Sequence, residues 1–392
     1  VNIRAIAQGA SERNISAVVR ETDVRKALNT LHEAFFEERV KQLNLFITGV
    51  GNVGARLLEQ IRAQQQVLKK EKRLNVRVVG LSNSRKMVFA SSGIDLSDWQ
   101  SALESGQPAT PEAFCETVRK LNLRNPIFID NTASETISRW YETYLRESIA
   151  VVTCNKIACS SEYGHYQLLK ALSRRYNTSF LFETNVGAGL PVIDTLKNLV
   201  LSGDRVRKIR AVLSGSLNFV FNTFDGETPF ADVVRQAAAE GYTEPDPRID
   251  LSGSDVMRKI LILARESGFE MEMEAIENDS FLPEGALEAP SLEAFYELLA
   301  AAGDHFDAMY RGAASRSARL KYVAEFDQGK ARVGLEEIPE GHDFYRLEGS
   351  DNIVLFYTDR YPDQPLVIKG AGAGADVTAS GLFADIIRIG NI

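Results

Sequence analysis

The chain has 392 residues, 44% of them hydrophobic and 25% charged, with 28 Gly, 12 Pro and 3 Cys. These fractions exclude a disordered, collagen-like or disulfide-stapled chain, and the length accommodates about two to three domains. Its 45 basic and 53 acidic residues sum to −8, which leaves no basic field for nucleic acid, and no apolar run reaches the roughly 18 residues that cross a bilayer. Cys115, Cys154 and Cys159 are too few for stapling and fit a reducing, cytoplasmic setting. The four histidines, His32, His165, His305 and His342, form no constellation, and no cysteine pair has zinc-ligand spacing.

Residues 3–7 and 15–19 are short apolar runs separated by a polar link over 8–14, the pattern of two neighbouring strands. Thr22-Asp23 is placed to cap a helix carrying Val24, Ala27, Leu28, Leu31 and Phe35 on one face. About 40 residues of strand, strand and helix bury too little to stand alone. A second unit starts at Asn44, with strands at 45–48, 76–81, 127–130, 149–153 and 180–182 and helical patterns between them. That alternation predicts an α/β fold with a doubly wound, Rossmann-like parallel sheet. From about Leu190 the pattern becomes α+β: strands at 206–213, 320–326, 331–335 and 353–358, and helices at 230–240 and 254–266. A glycine-rich stretch, Gly370, Gly372 and Gly374, precedes a final helix with Val377, Leu382, Ile386 and Ile387.

Gly49-Val50-Gly51-Asn52-Val53-Gly54 lies between a predicted strand and a predicted helix. Glycine-only turns there let backbone amides approach a pyrophosphate at a helix N-terminus, so the segment reads as a dinucleotide site. NAD sites usually place a carboxylate after the second strand to hold the ribose 2′-hydroxyl. Here Ser82-Asn83-Ser84-Arg85 follows instead, and Glu71 precedes that strand. A guanidinium beside hydroxyls suits a 2′-phosphate, so NADP is preferred, with NAD possible. Residues 244–250, Glu-Pro-Asp-Pro-Arg-Ile-Asp, form an acidic loop that the prolines are expected to hold extended. Asp255 and Lys259 follow at i, i+4 on a predicted helix, one face of which can grip an ammonium group and offer a proton. Lys156 ends a predicted parallel strand, where open α/β sheets bind ligands. Cys154 beside it reads more readily as small hydrophobic filler than as a nucleophile.

Taken together, Gly49 to Gly54, Asn131-Thr132, Asn155-Lys156, the 183–191 run Glu-Thr-Asn-Val-Gly-Ala-Gly-Leu-Pro, the 242–250 segment with Asp255 and Lys259, and the 370–374 glycines resemble homoserine dehydrogenase across roughly residues 42–392. Residues 1–37 resemble the end of a regulatory ACT domain, as joined to this enzyme in bifunctional aspartokinase–homoserine dehydrogenases. The resemblance implies a remnant ACT-like segment at 1–40, a dinucleotide-binding domain at 41–185 completed by 367–392, and a substrate-binding and dimerisation domain at 186–366. It further implies interconversion of L-homoserine and L-aspartate 4-semialdehyde in threonine, methionine and isoleucine biosynthesis. A homodimer or higher homo-oligomer is expected, with an aspartokinase joined covalently in the full-length chain.

By the same resemblance, Lys156, Lys259 and Asp255 are the catalytic set, Glu244 holds the substrate amino group, and Asp250 supports it. Gly374, Thr132 and Lys156 contact the cofactor. Glu183, Val186, Ala188 and Leu190 align with a structural sodium site. The family usually carries a small residue such as Ala where this chain has Cys154, which makes inhibition by thiol reagents an expectation. Two other readings compete: an aspartate-semialdehyde dehydrogenase-like enzyme using Cys154 as nucleophile, and a non-enzymatic NADP-binding sensor.

Overall fold

A computed structural model describes residues 2–8, 15–36 and 40–391, with the backbone alone for 33–36. The polar link over 9–14 and the Phe35 side chain lie outside the described residues. The chain divides into two units: Val1–Ala158 with Gln167–Phe182 and Leu382–Ile392, and Cys159–Tyr166 with Glu183–Gly381.

In the first unit β1 (Ile3–Gln8) and β2 (Ile15–Val19) pair antiparallel, and the helix Val24–Phe36 follows a turn at Glu21–Asp23. Their apolar side chains stand in solvent: Ile6 is 64% and Ile15 71% exposed, and Leu28 and Leu31 are exposed as well. The segment is fastened to the rest of its unit by polar contacts. Asn122 Nδ2 donates to the Thr22 carbonyl (2.7 Å), and Arg124 Nη1 to the Asn29 carbonyl (3.2 Å).

The main sheet contains β3 (Lys41–Thr48), β4 (Leu74–Ser82), β5 (Lys86–Phe89), β6 (Gln107–Pro108), β7 (Pro126–Asp130), β8 (Ala150–Thr153) and β9 (Phe180–Leu181), in the order β6-β5-β4-β3-β7-β8-β9. From β4 to β9 all neighbours are parallel. Strands covered on both faces carry largely apolar residues, and Leu43, Leu45, Phe46 and Ile47 are all fully buried. The helix Asn52–Glu71 covers part of one face with Leu57, Leu58 and Ile61. β3 begins before Asn44, because Lys41 and Gln42 pair with Leu74 and Asn75. The buried Asn44 side chain is satisfied by Arg77 Nη2 (2.8 Å) and the Arg124 carbonyl (2.6 Å). One edge departs from the expected all-parallel sheet: β5 and β6 run antiparallel, so 82–85 is a hairpin turn rather than the start of a crossover.

The second unit is built on a sheet of β10 (Val206–Val212), β11 (Ile276–Asp279), β12 (Ala318–Asp327), β13 (Lys330–Pro339), β14 (Asp351–Thr358) and β15 (Leu366–Ala371), ordered β11-β13-β12-β10-β14-β15. Only the β11–β13 pairing is parallel. Gln328 (φ +47) and Gly329 (φ +88) form the tight β12–β13 connection, the positive-φ pair that matches strand twist. Val212, Val323, Ile338, Phe344, Leu347, Ile353 and Leu355 pack as one core cluster. The helices Phe230–Ala239 and Ser254–Glu266 lie where the 3–4 spacing places them.

The expected extended loop over 244–250 does not persist to its end. Pro247 is helical (φ −66°, ψ −12°) and opens the short helix Arg248–Leu251. A helix start is where a missing amide N–H costs nothing. Arg248 forks onto Asp246 (Nε to Oδ1 2.9 Å, Nη2 to Oδ2 2.5 Å), which engages that carboxylate locally.

Candidate functional site

The chain leaves β3 for β4 on one side of the sheet and later reaches β7 on the other, so the sheet's switch point lies at the carboxyl ends of β3 and β7. Open α/β sheets hold their ligands there. A cavity of about 320 Å³ opens at this place, lined by Thr48, Gly49, Ser82, Ser84 and Thr132 among others. Gly51 precedes the helix Asn52–Glu71, whose first residues are Asn52 and Val53, and the helix presents its amides and positive dipole end to the turn.

The three glycines have separable roles. Gly49 is left-handed (φ +89), and a Cβ there would meet Thr132 Cγ2 at 2.9 Å. A Cβ at Gly54 would stand 2.1 Å from the Gly49 carbonyl oxygen. At Gly51 nothing lies within 4 Å of where a Cβ would be, so that side of the turn faces open space. Asn131 Nδ2 donates to the Gly49 carbonyl (3.2 Å), while its buried Oδ1 has no hydrogen-bond partner among the described residues. An open cradle beside an unsatisfied acceptor fits a dinucleotide carrying hydroxyl and amide donors.

Behind the cradle sits a carboxyl that no sequence motif marks. Asp130, fully buried at the end of β7, accepts from Tyr141 (2.5 Å), the Thr132 amide (2.8 Å) and Asn155 Nδ2 (3.0 Å). Burial pushes its pKa up against those hydrogen bonds. Through Thr132 on one side and Asn155 on the other, it ties together the loops that carry Thr132 and the half-buried Lys156. The available signal was an acid closing the otherwise apolar Ile-Phe-Ile run. Ser84 lines the cavity, and its neighbour Arg85 holds an exposed side chain on the hairpin turn, its amide bonded to Asn83 Oδ1 (2.8 Å).

Cys154 does not suit nucleophilic chemistry. Desolvation, helped by the nearby Asp130 charge, pushes its thiol up to about 12, and Sγ lies 3.7 Å from the Asp130 carbonyl. A thioester mechanism needs a thiolate near neutral pH, so the raised thiol counts against the alternative built on Cys154. The same raised thiol argues against the expected inhibition by thiol reagents. Burial thus leaves the thiolate, the species that reagents attack, scarcer at pH 8 than for an ordinary thiol. Native protein treated with iodoacetamide is therefore expected to retain an unmodified Cys154 by peptide mass spectrometry, with rapid labelling only after unfolding.

In the second unit, the helix Ser254–Glu266 carries the lysine–carboxylate pair. Its start requires Gly253 (φ +74), where a Cβ would fall 2.0 Å from the Tyr322 hydroxyl. Lys259, 8% exposed, donates to Asp255 Oδ2 (2.8 Å) and to the Leu213 carbonyl (2.6 Å). The ammonium is thus aimed by a carbonyl on one side and a carboxylate on the other, while the Asp255 side chain keeps 45% of its surface exposed. Asp250 Oδ2 accepts the Glu244 amide (2.8 Å), and its Oδ1 accepts from Ser216 Oγ (2.7 Å). Glu244 itself is exposed. Ser216, on the helix Gly215–Thr223, had gone unnoticed in the sequence. Gly374 (φ +113) opens the final helix, Ala375–Asn391, with nothing within 4 Å of a Cβ position.

Glu183 is buried, and its carboxylate accepts the Ile193 (2.7 Å) and Asp194 (2.8 Å) amides at the start of the helix Val192–Leu201. It therefore serves as a helix cap drawn from outside the helix. Gly187 (φ +76) and Ala188 (φ +50) turn the backbone through the segment that carries the Val186 and Ala188 carbonyls, while the Leu190 carbonyl accepts the Val192 amide. No group of three or more His, Cys, Asp or Glu gathers among the described residues. One carboxylate with backbone carbonyls is a donor set for a hard monovalent ion.

A glycine cradle at the switch point of a doubly wound sheet, with a cavity beside it, defines a dinucleotide-binding protein of the Rossmann class. Comparison with known families narrows this. Residues 191–387 match homoserine dehydrogenase, residues 49–183 the homoserine dehydrogenase NAD binding domain, and residues 1–35 an ACT domain. The chain belongs to the homoserine dehydrogenase family.

It is 41% identical over 393 residues to bifunctional aspartokinase/homoserine dehydrogenase 1, chloroplastic, of Arabidopsis thaliana, covering 99% of this chain and 43% of that protein. It is 39% identical to the bifunctional aspartokinase/homoserine dehydrogenase of Haemophilus influenzae, covering 99% and 48%. The chain thus spans a little under half the length of these relatives. A crystal structure of a Candida auris protein of unknown function aligns with a TM-score of 0.81 at 36% identity, over 90% of this chain and 99% of that one. A hyperthermophilic archaeal homoserine dehydrogenase in complex with NADPH shares the fold, with a TM-score of 0.69 at 24% identity over 89% and 98%. No helix among the described residues is long and apolar enough to cross a membrane.

Proposed function

We propose that this chain interconverts L-homoserine and L-aspartate 4-semialdehyde with a nicotinamide dinucleotide, NADP in preference to NAD. The observation that carries the reading is Lys259: a nearly buried ammonium held between the Leu213 carbonyl and Asp255. The 49–54 turn, Thr132, Ser84, Arg85, Lys156 and Gly374 would hold the cofactor, which supplies hydride-transfer chemistry when bound. During reduction negative charge grows on the substrate's carbonyl oxygen. Lys259 stabilises that charge and delivers the proton, assisted by Lys156, and in oxidation it takes the proton from the hydroxyl. Asp255 orients the ammonium. Glu244 grips the substrate amino group, and Asp250, by accepting the Glu244 amide, sets where that carboxylate starts.

The NADP preference rests on the 82–85 turn, which offers two serines, an asparagine and an arginine and no carboxylate. A sodium ion held by Glu183 with the Val186, Ala188 and Leu190 carbonyls belongs to the same reading, in a structural role. So do a homo-oligomeric, cytoplasmic enzyme and a covalently attached aspartokinase.

The test is steady-state homoserine oxidation followed by nicotinamide absorbance. NADP is expected to give the higher kcat/KM, and Arg85→Ala to lower the NADP value by about ten- to a hundredfold, the worth of one charge-assisted contact, with NAD little changed. Absence of homoserine-dependent turnover with either cofactor would refute the reading. An unchanged NADP preference in Arg85→Ala would remove Arg85 from it.

A further inference from the structure

Lys321 lies within β12 in the stretch Leu320 to Ala324, is fully buried, and has no place in the proposed chemistry. Its ammonium donates to Asn218 Oδ1 (2.8 Å), Asn222 Oδ1 (2.5 Å) and the Leu347 carbonyl (2.6 Å). All three donors of the ammonium are therefore used, and all three acceptors are neutral. A buried cation without a carboxylate partner is a costly way to fill a core. What the cation accomplishes is registration. Asn218 Nδ2 donates in turn to the Gly349 (3.0 Å) and Asp351 (3.3 Å) carbonyls, and Asn222 Nδ2 to the Leu347 (3.1 Å) and Gly349 (3.3 Å) carbonyls. The helix Gly215–Thr223 is thereby fastened to the 347–351 segment.

Both fastened elements lead to the lysine–carboxylate groups. At the start of the helix, Ser216 holds Asp250, which holds the Glu244 amide. Just before it, the Leu213 carbonyl accepts Lys259 Nζ (2.6 Å) and Asn352 Nδ2 (3.2 Å), and Asn352 follows directly on the 347–351 segment. Two short hydrogen-bonded routes therefore run from one buried ammonium, one to the Glu244 loop and the other to Lys259.

We infer that Lys321 is a positioning residue, which sets the helix Gly215–Thr223 against residues 347–351 and so places Glu244 and Lys259 for a substrate bearing both an ammonium group and a reacting carbonyl or hydroxyl. The inference rests on the proposed function for the identity of that substrate. It does not rest on it for the mechanical linkage.

The experiment combines hydrogen exchange by mass spectrometry with steady-state kinetics on Lys321→Met, which keeps length and removes charge, and on Asn222→Leu, which removes one acceptor and both onward bonds. In Lys321→Met, exchange over 215–223 and 243–252 is expected to rise about tenfold or more, and KM for homoserine to rise about tenfold, with KM for NADP within about twofold. Asn222→Leu follows the same pattern with smaller changes, and it decides the matter should Lys321→Met fail to fold. A folded variant with unchanged exchange over 243–252 overturns the inference. So does an equal rise in both KM values, the mark of a merely structural role. If the wild-type protein does not oxidise homoserine, the proposed function fails, and the exchange measurement still judges the linkage by itself.

Discussion

Lys259→Met is expected to lower kcat for homoserine oxidation by about 10²- to 10⁴-fold, the range in which a positioned acid–base group acts, while KM for NADP is retained. Methionine matches the length of the lysine stem, so packing along the buried helix Ser254–Glu266 is preserved and the loss is chemical. The Leu213 carbonyl loses one donor but keeps Asn352 Nδ2 at 3.2 Å, so no backbone acceptor is orphaned. Asp255→Asn removes the charge that steadies the ammonium and keeps a hydrogen-bonding oxygen, and about a tenfold loss is expected there. Stopped-flow measurement of nicotinamide reduction, with cofactor binding checked by fluorescence, separates chemistry from binding. A Lys259→Met protein that turns over within about threefold of wild type would remove this residue from the reaction.

The second large effect concerns two glycines three residues apart. Gly54→Ala is expected both to destabilise the protein, by about 1–3 kcal/mol, and to abolish useful cofactor affinity. The new Cβ would stand 2.1 Å from the Gly49 carbonyl oxygen, a backbone atom that cannot swing aside without opening the turn. Gly51→Ala meets nothing within 4 Å. It is expected to melt within a degree or two of wild type and yet to weaken NADP binding about tenfold or more, because the added methyl would enter the space proposed for the pyrophosphate. Thermal melts and NADP titrations on the two variants test this directly. If Gly51→Ala binds NADP normally, the open side of the turn is not where the dinucleotide approaches.

Much of the architecture was legible because it rests on local patterns. The buried strands β7 and β8 and the 45–47 stretch of β3 are near-continuous apolar runs, the 49–54 turn sits between a strand and a helix, and Asp255 and Lys259 share a helix face by spacing alone. What was illegible depends on partners distant in sequence. β5 is four residues long, and its antiparallel pairing with β4 is decided by the 82–85 turn rather than by any hydrophobic period. Pro247 was expected to keep the loop extended. Its φ of −66° serves a helix start equally well, and the short helix that follows buries Leu251. Ser216 reaches Asp250 across 34 positions and Lys321 reaches Asn218 across 103, separations that no window of residues reveals. Both leave a faint trace, a serine following Ser214-Gly215 after a strand and one lysine inside a strand otherwise rich in apolar residues. Neither trace says which atoms will meet.

The state of the sulfur atoms has a practical corollary. Cys115 and Cys159 are buried, burial pushes the Cys115 thiol up to about 11, and Cys154 is pushed up further. The native thiols are therefore expected to react slowly with maleimide reagents, Cys154 being the partly exposed one. A single cysteine introduced at the exposed Glu112, beside Thr110 and Pro111 of the cavity wall and outside the residues proposed to hold the cofactor, would carry a fluorescent dye at one defined address. Its emission would report nucleotide arrival in real time without any need to strip the native thiols first.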